Sequence, residues 1–183
     1  METNKIYIFL ALLRPNKGAH LLIEAVAKLK ESLKGWKIVI AGKDNEHYAS
    51  FLKKLIIQYQ LEDMISLPGA LYGEDKWNMY KKADFFVLPT LNENFGIVIA
   101  EALLCGTPVI TCKGAPWNGL IDNHCGWWVD RTVEDITDAL SKAIKLQENE
   151  IKEMGIRGRN FIINNYSSNL VAKQIINIYQ SLL

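Results

Sequence analysis

Four consecutive apolar residues, Phe85-Phe86-Val87-Leu88, stopped at once by Pro89, constrain this chain more than any other feature. A strand apolar on both faces belongs inside a parallel sheet covered by helices on either side. Pro89 has no N–H for the ladder, so the strand ends there. A polar loop follows, Thr90 to Asn94, and then a helical stretch from Phe95 to Leu104 that Gly106 and Pro108 close. A strand feeding a helix through a polar loop places free helix N–H groups at the strand's carboxyl end. Those groups and the helix dipole favour an anion, most often a phosphate. Asn92 or Asn94 can cap the helix, and Gly96 lets a ligand approach the backbone closely.

Two carboxylates belong to this unit. Glu93 precedes the helix and can turn toward whatever fills its mouth. Glu101 lies within the otherwise apolar run Ile97 to Leu104. A carboxylate there is either solvated on a narrow exposed stripe or held by hydrogen-bond donors in a cleft. Carboxylates readily accept from sugar and ribose hydroxyls, so an anion site flanked by two of them suggests a sugar nucleotide.

The same unit recurs along the chain. Lys5 to Leu13 reads as a buried strand, Arg14 to Gly18 as a turn and Ala19 to Leu33 as a helix. Arg14 and Lys17 are either solvated loop cations or phosphate ligands; a strand's carboxyl end favours the latter. Trp36 to Ala41 is the second strand and Tyr48 to Gln60 a helix with Phe51, Leu52, Leu55 and Ile56 inward. Met64 to Leu67 is a short third strand, followed by the loop Pro68 to Gly73. There Tyr72 is either a surface hydrophobe or part of a ligand pocket. Glu74 to Lys82 is a short helix whose Trp77 and Tyr80 suit the core. After the Phe85 unit come strands at Val109 to Cys112 and Gly126 to Val129. The tandem Trp127-Trp128 suggests one ring inside and one at a lid or boundary. Helices over 133–146, 150–164 and 168–183 complete the chain. This alternation predicts an α/β fold, a Rossmann-like doubly wound parallel sheet with C-terminal helices, in a single domain over residues 1–183.

Composition narrows the function classes. With 21 basic and 20 acidic residues the net charge is +1, which gives no electrostatic case for nucleic acid. No apolar run approaches the roughly 20 residues of a membrane span. Met1-Glu2-Thr3-Asn4 lacks the layout of a secretory leader. Cys105, Cys112 and Cys125 are odd in number and not in metal spacing, which suits core thiols in a reducing cytoplasm.

The residues from Pro89 to Val109 fit PT-x-x-E-x-F-G-x-x-x-x-E-A-x-x-x-G-x-P-V, about ten positions in order. This resembles the retaining, nucleotide-sugar-dependent glycosyltransferases of GT-B fold, the glycosyl transferases group 1 family, in their C-terminal, donor-binding domain. The resemblance covers nearly the whole chain. It implies that Lys17, in a Lys-Gly pair, neutralises the donor diphosphate. The family's arginine stands five residues before that lysine, where this chain has Leu12; Arg14 is two positions off. The resemblance further implies that Leu71 and Tyr72 pack around the base and that the N–H groups of Ile97 and Val98 hold phosphate. Glu93, with Asn94, Phe95 and Gly96 beside it, would orient the donor sugar, and Glu101 would bind the ribose hydroxyls. Lys17 and Glu93 are the catalytic candidates. Many relatives carry a glutamate where Asn118-Gly119 stand, so no site is expected there.

The implied reaction needs no metal and no cofactor beyond the nucleotide sugar. A GT-B enzyme works between two Rossmann-like domains, and this chain has room for one. The acceptor-binding N-terminal domain is expected in cis or as a separate chain, with the site cytoplasmic or peripheral at the inner membrane through that domain. Cell-envelope polysaccharide or lipopolysaccharide synthesis is the implied setting. Two rivals remain: another GT-B activity such as an epimerase or phosphorylase, and a non-catalytic nucleotide-sugar-binding subunit. An epimerase would want acid–base groups in the cleft, and His20, His47 and His124 lie outside the motif loops.

Overall fold

The computed structural model describes residues 5–44 and 46–167, and beyond them 172, 173, 176, 179 and 180. The helix expected over 168–183 therefore lies outside the continuous described stretch. The elements run β1 (Lys5–Leu10), a 3-10 turn (Pro15–Lys17), α1 (Ala19–Lys28), β2 (Trp36–Ala41), α2 (Tyr48–Gln58), β3 (Ile65–Gly69), α3 (Gly73–Lys82) and β4 (Phe85–Leu88). They continue with α4 (Ile97–Leu104), β5 (Val109–Cys112), α5 (Gly119–Asp122), β6 (Gly126–Val129), α6 (Val133–Ala143) and α7 (Glu148–Tyr166). All six strands are parallel, in the order β3-β2-β1-β4-β5-β6. The order reverses between β1 and β4, and that reversal opens a crevice at the carboxyl ends of the two strands.

The continuous apolar runs are central strands because both of their faces are covered. β4 and β5 are buried at every position. On one face an aromatic row crosses the sheet: Tyr7 stacks on Trp36 at 4.6 Å and on Phe85 at 5.5 Å between ring centroids. The Tyr7 hydroxyl donates to the Leu140 carbonyl of α6 at 3.2 Å, so burying this phenol leaves no unpaired donor. α1 packs against α2 and α6, while α4 packs against α3 and α7. Two helix starts are capped by side chains, and α7 begins at Glu148, two residues before the expected 150. Thr132 caps α6 by accepting from the Asp135 N–H, and Gln147 with Glu150 forms a capping box on α7.

Several expected boundaries shift. β1 stops at Leu10, its last position paired with β2; beyond it Ala11 and Leu13 donate to the β2 side alone, and Leu12 becomes 40% exposed. α1 ends at Lys28 rather than Leu33, because the chain must turn back to enter β2 and the Trp36 N–H bonds the Leu33 carbonyl. β3 extends through Pro68, which an edge strand tolerates. In α2 the inward places go to Tyr48, Leu52, Leu55 and Ile56, while Phe51, at the border of the apolar stripe, is exposed and stacks on Tyr48. Trp127 and Trp128 are both half-buried, since alternate faces of the edge strand β6 are each only partly covered. Trp127 meets the edge of Phe85, and Trp128 donates to the Ala115 carbonyl. Cys112 and Cys125 are buried, and burial pushes their thiols up to about 12 and about 11. No helix among the described residues is long and apolar enough to cross a membrane.

Candidate functional site

The loops after β1, β4 and β5 are laced together at the carboxyl edge. The Leu91 N–H donates to the Asn16 carbonyl at 2.7 Å, and the Glu93 N–H to the Gly114 carbonyl at 2.9 Å. Gly18 lies against the β4 loop so closely that a Cβ there would come 2.1 Å from the Pro89 carbonyl oxygen; its φ of +78° is also left-handed. Both constraints call for glycine after Lys17. Arg131, just past β6, reaches across the edge and donates to the Pro89 carbonyl at 3.0 Å and the Pro15 carbonyl at 3.2 Å. One guanidinium thus ties the β1 loop to the β4 loop at the point where the strand order reverses.

This lacing brings Lys17 to Glu93. The ammonium donates to Glu93 Oε1, and the two side chains are 17% and 16% exposed. They flank the start of α4, whose N-cap is Gly96 at φ +81° with no side-chain cap. The expectation that Asn92 or Asn94 caps this helix is therefore corrected. The chain enters α4 through a left-handed residue whose own carbonyl takes the Ile99 N–H at 2.8 Å, and the earlier asparagines stand outside that turn. The N–H groups of Ile97 and Val98 are the first of the helix and have no carbonyl one turn earlier to bond. With the Lys17–Glu93 pair beside them, they present unbonded donors at the mouth of the helix. Phe95 is turned elsewhere. Its ring meets Trp117 and Tyr166, and Trp117 donates to its carbonyl, so it anchors the loop to α7.

Glu101 is held by donors rather than solvated, which resolves the two readings its sequence position left open. Lys76 Nζ lies 2.7 Å from Oε1, and the Tyr80 hydroxyl donates to Oε2 at 3.1 Å. Burial, and then the Glu101 charge, push the Tyr80 phenol well above its ordinary value, so it stays a donor. The carboxylate borders a cleft of about 320 Å³ between the loops after β1, β2 and β3 and the start of α4. Leu71, Tyr72, Ile97 and Val98 line the same cleft, which has the size and the apolar lining with few polar groups typical of small-molecule sites. Tyr72 is 68% exposed and Leu71 half-buried. A cleft of about 380 Å³ between α1 and α6 contains no motif residue.

The structure therefore gathers the expected residues into two adjoining groups. Lys17, Glu93 and the start of α4 form one; Leu71, Tyr72 and Glu101 form the other. Ile97 and Val98 stand between them. Arg14 is drawn toward the β2 loop, with Nε 3.1 Å from Glu46 Oε1, near enough for charge pairing but misaligned for a hydrogen bond. Asn94 is exposed on the loop. His20 bonds the Tyr48 hydroxyl between α1 and α2. Sequence reasoning missed Lys76, Tyr80 and Arg131. Arg131 carried a usable signal, a cation just past a strand's carboxyl end. Lys76 and Tyr80 carried only an indirect one, the need of Glu101 for donors in an apolar helix. Among the described residues, no three His, Cys, Asp or Glu side chains are grouped closely enough to hold a metal.

Known proteins similar to this chain in sequence and fold agree with one another. The chain is 26% identical to the putative colanic acid biosynthesis glycosyltransferase WcaL of Escherichia coli, over 96% of this chain and 45% of WcaL. Among solved structures, a glycosyltransferase from Rickettsia africae superposes with a TM-score of 0.87 at 23% identity, over 99% of this chain and 48% of that one. HepE of Anabaena, solved in complex with UDP, superposes with a TM-score of 0.86 at 20% identity, over 98% of this chain and 49% of that one. The chain spans less than half the length of the curated relatives it matches first. Residues 1–161 match the family glycosyl transferases group 1, and the chain belongs to that family.

Proposed function

We propose that this chain is the donor-binding half of a retaining glycosyltransferase that takes its sugar, a hexose, from a nucleoside diphosphate sugar. The observation that carries this reading is the start of α4, without a side-chain cap, with Lys17 and Glu93 on one side and Glu101 on the other. The N–H groups of Ile97 and Val98 and the Lys17 ammonium receive the diphosphate. Glu101 accepts from the ribose hydroxyls in the cleft, and Leu71 and Tyr72 lie against the base. Glu93 accepts from hydroxyls of the donor sugar.

Transfer proceeds on one face of the sugar. The bond from the anomeric carbon to the diphosphate oxygen breaks, and the acceptor oxygen bonds that carbon from the same side. The acceptor's hydroxyl proton passes to the departing diphosphate. Lys17 stabilises the charge that grows on the leaving group, a contribution larger in the transition state than in the ground state. The diphosphate is neutralised by protein groups, without a metal. The product is an envelope polysaccharide made on the cytoplasmic side of the membrane; the name of WcaL, a colanic acid biosynthesis glycosyltransferase, supports the polysaccharide.

Calorimetric titration of the chain with UDP, GDP and ADP, and with their sugars, in metal-free buffer tests the reading. Saturable binding of one nucleotide is expected, weakened at least about tenfold in Lys17→Ala and in Glu101→Ala, each of which removes a charge-assisted hydrogen bond. Binding that survives both substitutions overturns it.

A further inference from the structure

Lys76 does not belong to the recognised motif, yet it occupies the cleft wall opposite α4. It comes from the first turn of α3, and its side chain is 24% exposed. The ammonium lies over the Trp77 ring at 4.7 Å and 2.7 Å from Glu101 Oε1. The Tyr80 hydroxyl, one turn further along α3, holds the other oxygen. A carboxylate offers about four acceptor positions. Two are taken by α3, which leaves two for the cleft, the number that a pair of vicinal ribose hydroxyls needs.

We infer that Lys76 is a positioning residue for the nucleotide, fixing the Glu101 carboxylate so that its free acceptor positions meet the ribose hydroxyls. The inference rests on the donor-binding reading above. Its physical basis is preorganisation. Without Lys76, a glutamate with three rotatable bonds is held by one phenol alone, and ligand binding must order it. The charge balance points the same way. Lys76 neutralises Glu101, whose carboxylate would otherwise repel the diphosphate bound at the same helix start.

A test must separate this role from a general effect of charge or of folding. The full chain is titrated with UDP, GDP and ADP, each beside its 2′,3′-dideoxy form. The quantity read is the ratio of ribose to dideoxyribose affinity. Lys76→Met should cut that ratio about tenfold, the worth of one hydrogen bond to a charged group. Glu101→Gln should cut it as far, and the double variant no further. Lys76→Arg, which keeps charge and donors, should retain most of it. Thermal unfolding checks that each variant folds, with Lys76→Gln as the substitute if Lys76→Met does not. A ratio unchanged in Lys76→Met overturns the inference, even if both affinities fall together, because an equal loss means that Lys76 acts on the phosphates or on the fold. If the unsubstituted chain binds none of the three nucleotides, the donor reading fails and takes this inference with it. If it binds one and the ratio ignores Lys76, the inference alone fails.

Discussion

Lys17 and Glu93 neutralise each other at the mouth of α4. A diphosphate bound there draws on the same ammonium, so the two anions compete for it. The sign of one substitution follows. Glu93→Gln frees Lys17 and removes a negative charge beside the phosphates, and should tighten binding of a nucleoside diphosphate. A partly exposed pair is worth up to about 1 kcal/mol, so the gain is about fivefold at most. The extra affinity contributed by the sugar should fall in the same variant, because an amide is a poorer acceptor for its hydroxyls. Calorimetry on a nucleoside diphosphate and on the matching sugar nucleotide reads both changes. A uniform weakening would mean that Glu93 serves to position Lys17 instead. Both residues were legible in the sequence, Lys17 by its place at a strand's carboxyl end and Glu93 by its place just before the helix. Their pairing was not, since 76 residues separate them and only the adjacency of β1 and β4 joins their loops. Arg14 shows the converse. Its place after the first strand suggested phosphate, whereas the structure sets it beside Glu46.

At the scale of elements, the site depends on how the loop after β1 seats against the loop after β4. Gly18 is the seat. An alanine there would meet the Pro89 carbonyl and would also pay for a left-handed backbone, which costs an L-residue about 1–2 kcal/mol. With the displaced contact added, Gly18→Ala should lower stability by about 2 kcal/mol or more. For a domain of this size that is a fall of about 4–8 °C in the midpoint of thermal unfolding, readable by circular dichroism. A midpoint shift below 1 °C would show that the two loops move apart at little cost. The strands β2, β4 and β5 were readable from apolar runs, and the start of α6 from its amphipathic pattern. The start of α4 was not. Its cap depends on a left-handed Gly96, and Asn92 and Asn94 were the obvious candidates by residue type. Lys76 and Tyr80 were not legible as partners of Glu101 either, because α3 and α4 meet only through tertiary packing.

For the whole molecule, the site is open on its carboxyl edge, and every candidate group comes from this one sheet's loops and helix starts. We propose that an acceptor-binding half, in the same polypeptide or a separate one, forms the other wall. The chain alone should bind a sugar nucleotide yet release its nucleoside diphosphate no faster than buffer does. Coupled to the N-terminal half of a full-length relative, it should turn over. Turnover by the chain alone would refute the need for a second half. The sequence by itself determined the class of fold and the succession of strand, polar loop and helix at which the proposed anion site lies. Apolar runs of strand length admit only a covered parallel sheet, and a strand, polar loop and helix in succession put unbonded N–H groups at its edge. The tertiary structure alone decided which charges meet. Whether Lys17 faces Glu93, Lys76 faces Glu101 or Arg131 ties two loops depends on the strand order β3-β2-β1-β4-β5-β6. That order is set by the packing of helices on both faces, and local propensity carries no record of it.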